Sequence, residues 1–226
     1  MRDDVLACVE VEPSTAATAS VIWLHGLGAD GHDFEPIVPH LQLTDAHAVR
    51  FVFPHAPRIP VTINMGLIMP AWYDIGVLDL ERGHDLVGVE RSAKQVRALV
   101  ARENSRGIPS SRIVLAGFSQ GGAVALWTGL RHAERLAGLL ALSTYCVGVD
   151  RLARERSEAC RGLGVFQAHG QFDPMVPLSA GTLCREQLVL LGYDVEWRTY
   201  PMAHEVVYEE LADIGAWLRA ALPPSA

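Results

Sequence analysis

The sequence predicts an α/β fold, a mostly parallel central sheet with helices on both faces, and three observations carry that expectation. Short β-rich apolar runs alternate along the chain with longer segments of helical periodicity, the order a parallel sheet with crossover helices requires. The length, 226 residues, lies inside the roughly 200–250 that large α/β folds reach as one unit. Half of the residues are apolar and a fifth are charged, ordinary for a globular chain, and a chain of this size buries about 70–75% of its unfolded surface. A single domain over residues 1–226 is expected.

The elements follow in order. Val5–Val11 adds an edge strand, and Ala19–Leu24 and Val49–Phe53 are apolar β-rich runs. From Pro54 to about Gly83 the chain is irregular and rich in Pro, Gly, Trp and Met. A stretch of that length inside a compact domain is usually functional, so a lid-like loop is expected there. His84–Arg102 places Val87, Val96 and Val100 as a helical pattern, and Arg112–Ala116 is the next strand. Gln120–Arg135 reads as helix, Gly138–Leu142 and Gly164–Ala168 as strands, and Ala180–Leu191 as helix. Asp194–Tyr200 is the last strand, and Glu205–Ala221 carries Leu211, Ile214 and Leu218 at helical spacing. Pro223 to Ala226 is a frayed tail.

Charge and composition exclude several classes. The balance of 19 basic and 26 acidic residues gives −7, and Lys94 is the one lysine, so no basic stripe is present for nucleic acid. The N-terminal stretch is interrupted by Glu10, Glu12 and Pro13 and lacks the apolar run of a secretory signal. No run approaches the ~20 apolar residues that span a bilayer, so a cytoplasmic protein without stable membrane anchoring is expected. Cys8, Cys146, Cys160 and Cys184 lie far apart without a C-x-x-C pair, which argues against zinc or a redox dithiol and for free, mostly buried thiols.

The chemistry points to Gly117-Phe118-Ser119-Gln120-Gly121, placed between the strand Arg112–Ala116 and a helix. Strand, tight turn and helix make a nucleophile elbow of the α/β-hydrolase kind, and small residues two before and two after the serine keep the strained turn free of colliding Cβ atoms. A serine hydroxyl needs a base, and in such folds acid and histidine follow it in the order Ser, acid, His. Asp173 lies just past the strand Gly164–Ala168 in a loop stiffened by Pro174 and Pro177, and only His204 follows it. Ser119, Asp173 and His204 thus fall at the carboxyl ends of three strands, where open α/β sheets place their sites. The rivals are weaker, because Asp150 precedes a helical stretch, Glu186 lies within a helix, and His132 sits on the helix leaving the elbow. Amides of Gln120, next to the nucleophile, and of Leu27, in His25-Gly26-Leu27-Gly28, are the expected oxyanion donors.

Two other motifs compete. Gly26-Leu27-Gly28-Ala29-Asp30-Gly31 fits the dinucleotide-binding pattern, yet the next strand runs into Pro54-His55-Ala56-Pro57 where a ribose-binding carboxylate is needed, and Pro36 and Pro39 crowd the following helix. His25, His32, His40, His47 and His55 show no metal-ligand spacing.

Beyond single motifs, Leu24 to Gly31, Phe53 to Pro57, Pro60 to Asn64, Met69 to Asp74, Gly117 to Gly122, Leu142-Ser143, His169 to Pro177 and Met202 to His204 together resemble the blocks of the phospholipase/carboxylesterase family, in the family's order. That family includes bacterial carboxylesterases and acyl-protein thioesterases. The resemblance spans about residues 20 to 205 and implies the same triad and oxyanion positions. It also implies hydrolysis of carboxylic esters or thioesters, no cofactor, and an apolar acyl groove under the loop from Pro54 to Asp74. The apolar content of that loop, over a shallow groove, leads to an expected preference for short to medium chains. Ile63, Met65, Leu67, Ile68, Met69 and Trp72 are the candidate substrate-binding residues; the four from Met65 to Met69 fit loop packing equally, and Trp72 fits packing better than contact. The chain departs from the family at Val147, where a proline is frequent two residues after the position of Tyr145, and in a lid more apolar than many relatives carry. The expected partners are small-molecule esters or thioesters, with a lipid or an acylated protein sharing the chemistry, and a homodimer would cover an exposed apolar lid. A non-catalytic acyl-binding module would require a lost triad member.

Overall fold

The computed structural model describes residues 6–76 and 84–224. Seven strands build the main sheet: β1 (Cys8–Val11), β2 (Ala19–Leu24), β3 (Val49–Pro54), β6 (Ile113–Phe118), β7 (Gly138–Leu142), β8 (Gly164–Gly170) and β9 (Asp194–Tyr200). Their order is β1-β3-β2-β6-β7-β8-β9, with β1 antiparallel to β3 and every other neighbouring pair parallel. A parallel sheet must be covered on both faces, which is why β2, β6 and β7 are buried at every position.

One face packs Ile22, Leu24, Leu115 and Leu139 against α1 (Leu86–Ser105), α2 (Gln120–Leu130), α3 (Val149–Glu155) and α4 (Leu178–Leu190). The other packs Trp23, Phe51, Val114 and Phe166 against α5 (Tyr208–Ala221) and a 3-10 helix at Glu35–Leu41. Helix α5 buries Leu211, Ile214 and Leu218, as its spacing predicts.

Several expectations change. Val87 is 81% exposed; it stands nine residues from Val96, half a turn out of phase, and the buried stripe of α1 is Val89, Ala93, Val96 and Val100. Helix α2 stops at Leu130, so His132 lies beyond it, with Nδ1 3.1 Å from the Glu134 carbonyl. Asp150 lies inside the first turn of α3. The irregular stretch after Pro54 contains an antiparallel ribbon, β4 (Arg58–Val61) with β5 (Leu67–Pro70). Its strands have four residues each and include Pro60 and Pro70, too short for alternation to be read. The Asp74 carboxylate ties the ribbon off, accepting from the Thr62 amide at 2.7 Å and from its hydroxyl at 2.6 Å.

The expectation of four free thiols is overturned at Cys146 and Cys184, which form a disulfide between the loop after β7 and α4, while Cys8 and Cys160 are free. The two cysteines are 38 residues apart, and only the packing of α4 over the sheet brings them together. Val5 of the expected edge strand, residues 77–83 of the expected lid and the tail end at Ser225 and Ala226 lie outside the described residues.

Candidate active site

Ser119 sits between β6 and α2 with φ 54° and ψ −122°, a backbone conformation that costs a non-glycine residue on the order of 1–3 kcal/mol and persists only where its surroundings enforce it. They do so by close approach. A Cβ on Gly117 would stand 2.4 Å from the Gly121 carbonyl, and one on Gly121 would stand 2.4 Å from the Leu24 carbonyl oxygen. Strand β2, strand β6 and α2 therefore meet with no side chain between them. The Ser119 amide donates to Leu142 at 2.9 Å, and the Thr144 hydroxyl donates to the Ser119 carbonyl at 2.6 Å.

His204 reaches this serine from the loop after β9, with Nε2 2.9 Å from Ser119 Oγ. Its Nδ1 is 2.7 Å from Asp173 Oδ2, in the loop after β8. An ionised Asp173 accepts only, so Nδ1 carries the proton and Nε2 presents a lone pair to the serine hydroxyl. The other carboxylate oxygen accepts from the amides of Met175 and Val176, both at 2.8 Å. The Asp173 side chain is fully buried and that of His204 is 18% exposed, so the pair is dry at the acid and open at the serine. Phe118 packs on the imidazole with centroids 4.7 Å apart.

The loop after β2 is clamped by groups that motif spacing does not reveal. His25 is buried, and its Nε2 accepts from the Ala56 amide at 3.0 Å, which leaves Nδ1–H to donate to the Gly26 carbonyl at 2.7 Å. Burial pushes its pKa down, in keeping with this neutral tautomer. The Trp72 indole donates to the His25 carbonyl at 2.9 Å, and the Gly28 amide donates to Pro70 at 2.9 Å. Among the described residues, no turn, loop or cap hydrogen bond takes the amide of Leu27 or of Gln120. The Gln120 side chain points the other way. Its carbonyl accepts from the Trp72 amide at 2.9 Å and its NH₂ donates to the Tyr73 carbonyl at 2.8 Å, tying the lid to the elbow.

His169 packs behind the acid loop, a position that motif spacing leaves out. It is fully buried, its Nε2–H donates to the Val176 carbonyl at 2.8 Å, and it stands 3.7 Å from Asp173 Oδ2. Burial lowers its pKa, so a neutral ring braces the acid loop. The signal for it in the sequence is a histidine at the end of a strand just before that loop.

The lid candidates separate. Trp72 is fully buried with its indole N–H engaged, so it packs beneath the site and offers substrate no face. Ile63 and Met69 are half-buried, and the Met69 sulfur lies 4.0 Å from where a Cβ on Gly28 would be. Met65, Leu67 and Ile68 are exposed on the ribbon. The chain after Gly26 to Gly31 enters a 3-10 helix and not an α-helix. Among the described residues no group of three His, Cys, Asp or Glu side chains could hold a metal ion.

A family model described as phospholipase/carboxylesterase matches residues 6–222. The acyl-protein thioesterase 1 of Gibberella zeae is 43% identical over 216 residues, covering 92% of this chain and 92% of the relative. That of Neurospora crassa is 40% identical over 215 residues, covering 91% and 88%. Among solved structures, Zea mays acyl-protein thioesterase 2 superposes with a TM-score of 0.86 at 26% identity, covering 96% of this chain and 99% of that one. Arabidopsis thaliana SOBER1 superposes with a TM-score of 0.85 at 28% identity, covering 90% and 99%.

Proposed function

The chain belongs to the phospholipase/carboxylesterase family of α/β-hydrolases, and from that premise we propose that it cleaves carboxylic esters and thioesters of short to medium acyl chains through an acyl-enzyme on Ser119. The observation that carries the reading is the line of hydrogen bonds from Asp173 through His204 to Ser119 Oγ, 2.7 and 2.9 Å long. His204 Nε2 takes the serine proton as Oγ attacks the acyl carbonyl, and the oxyanion collects on the Leu27 and Gln120 amides. Collapse expels the alcohol or thiol, which leaves with the proton from His204. Water, deprotonated by the same nitrogen, then releases the acid and returns the proton to Ser119.

Met69 and Ile63 line the inner part of the acyl groove in this proposal, with Met65, Leu67 and Ile68 at its rim. No cofactor takes part. The names of the fungal relatives favour an acylated protein as one natural substrate, and a lysophospholipid shares the same chemistry. All of this is assigned to one domain. A cytoplasmic address belongs to the same proposal; no helix among the described residues is long and apolar enough to cross a membrane. The Cys146–Cys184 bond stands against that address, since glutathione keeps cytosolic thiols reduced, and cell fractionation decides.

The test uses a short p-nitrophenyl ester and a fluorophosphonate probe. Turnover and labelling at Ser119 are expected, with Ser119→Ala and His204→Ala each lowering kcat by on the order of 10⁴–10⁶ while the circular dichroism is unchanged. A folded protein that neither turns over nor labels overturns the reading in favour of a binding module. Chains from C2 to C16, as oxygen esters and as thioesters, then rank the substrates.

A further inference from the structure

Strand β9 ends the sheet: one side pairs with β8, and among the described residues no strand pairs the other. An open edge presents a row of backbone donors and acceptors that a further strand satisfies. This edge is seven residues long, against four for β1 at the opposite end.

Its side chains are sorted by face. Phe166 of β8 stands beside Glu196 and belongs to the core under α5, so Asp194, Glu196 and Arg198 share the α5 side, all exposed. Val165 stands beside Val195 and packs with the α4 core, so Val195, Trp197 and Thr199 share the α4 side, all half-buried. On that side Arg185, Glu186, Val189, Leu190, Val195 and Trp197 line an open groove of about 450 Å³. Two of its apolar walls stand in water, Val189 at 55% and Leu190 at 77% exposure.

We propose that this edge and groove form the interface of a two-fold homodimer, in which β9 pairs antiparallel with β9 of a second copy about an axis at Trp197. Charge identifies the occupant. Centred on Trp197, the pairing sets Glu196 opposite Arg198 of the copy and Arg198 opposite its Glu196, two reciprocal ion pairs written by one strand. Asp194 then faces Tyr200. Centring on Glu196 sets two carboxylates face to face, and centring on Arg198 sets two guanidinium groups face to face, whereas centring on Trp197 pairs every Glu196 with an Arg198. The intrastrand contact between Arg198 and Glu196, 2.9 Å, is exchanged for the two intermolecular ones.

On the other face the same axis stacks Trp197 against its mate and brings the two α4 helices side by side, so that Val189 and Leu190 of each copy cover the groove. The described β4–β5 ribbon carries no comparable pattern of paired charge. The copy therefore sits on β9 and leaves the ribbon free.

Sedimentation equilibrium on the full chain tests the proposal. The expected particle has twice the 24.6 kDa chain mass. Arg198→Glu sets like charges together twice and is expected to raise the dimer dissociation constant roughly tenfold to a hundredfold. Glu196→Arg combined with Arg198→Glu restores both pairs and is expected to recover the dimer. Ester turnover serves as the folding control, because neither residue belongs to the site. A monomer at all concentrations overturns the proposal, as does a dimer indifferent to Arg198→Glu or a double variant no tighter than the single. A dimer that dissociates only with Leu67→Asp moves the interface to the lid and equally overturns it.

Discussion

Three histidines lie at the carboxyl ends of the strands that carry the site, and hydrogen bonding sets the role of each. His25 accepts from Ala56 and His169 donates to Val176, both in buried surroundings that push their pKa values down. Each is a neutral brace for a loop. His204 alone keeps a nitrogen for Ser119. A buried carboxylic acid shows the same influence of environment away from the site. Glu210, on the first turn of α5, is fully buried, and burial pushes its pKa up to about 8; the Val207 amide opposes the rise and Asp213 adds to it. In the unfolded chain the same group ionises near pH ~4.3. Between those values the folded state holds a proton that the unfolded state has released. The stabilisation is therefore complete below the unfolded pKa and is lost as pH rises toward the folded one, by at most about 1.4 kcal/mol per pH unit. Urea melts at pH 7, 7.5 and 8, above the range in which the neutral His25 and His169 add stability as pH rises, are expected to show falling stability for the native chain and a flatter profile for Glu210→Gln. Parallel profiles for the two proteins would sink this assignment.

At the scale of elements, the β4–β5 ribbon is the least self-sufficient piece, since two short strands are marginal on their own. It holds because Ala71, Trp72 and Tyr73 beyond it are buried and because Gln120 grips two of their backbone groups. A lid fastened to the elbow is expected to report on acyl length through burial, each methylene contributing about 0.8 kcal/mol. Leu67→Asp or Ile68→Asp is expected to raise KM for a C8 ester far more than for a C2 ester, because the carboxylate needs desolvation only when a longer chain lies against it. Steady-state kinetics on both esters decide the matter. Equal effects would remove these side chains from the groove and place the acyl site elsewhere along the sheet edge.

For the whole molecule, the disulfide links the loop after β7 to α4 across 38 residues, and it leads to a count. Thiol titration of the denatured, unreduced protein is expected to give two groups, from Cys8 and Cys160, and four after reduction; four before reduction would show the pair open. The boundaries of β2, β7 and β9 were legible because apolar runs and breakers are local signals, and so was the elbow, whose glycines answer to the sterics of a single turn. The order Ser119, Asp173, His204 was legible because strand connectivity alone sends those loops to one edge. The sequence by itself determined these things: alternation of strand and helix, the strained turn, and the chain order of the three residues proposed as the triad. Only the tertiary structure decided that Cys146 meets Cys184, that His169 braces the acid loop, that Gln120 holds the lid and that Trp72 lies under the site. The reason is physical. The cysteine, glutamine and tryptophan contacts join residues from about 38 to 48 positions apart, the entropy of closing such loops is offset only by burying the whole core, and no short window of sequence records that balance. The His169 brace spans only seven positions, but its strength comes from a buried site that the packing of α4 creates.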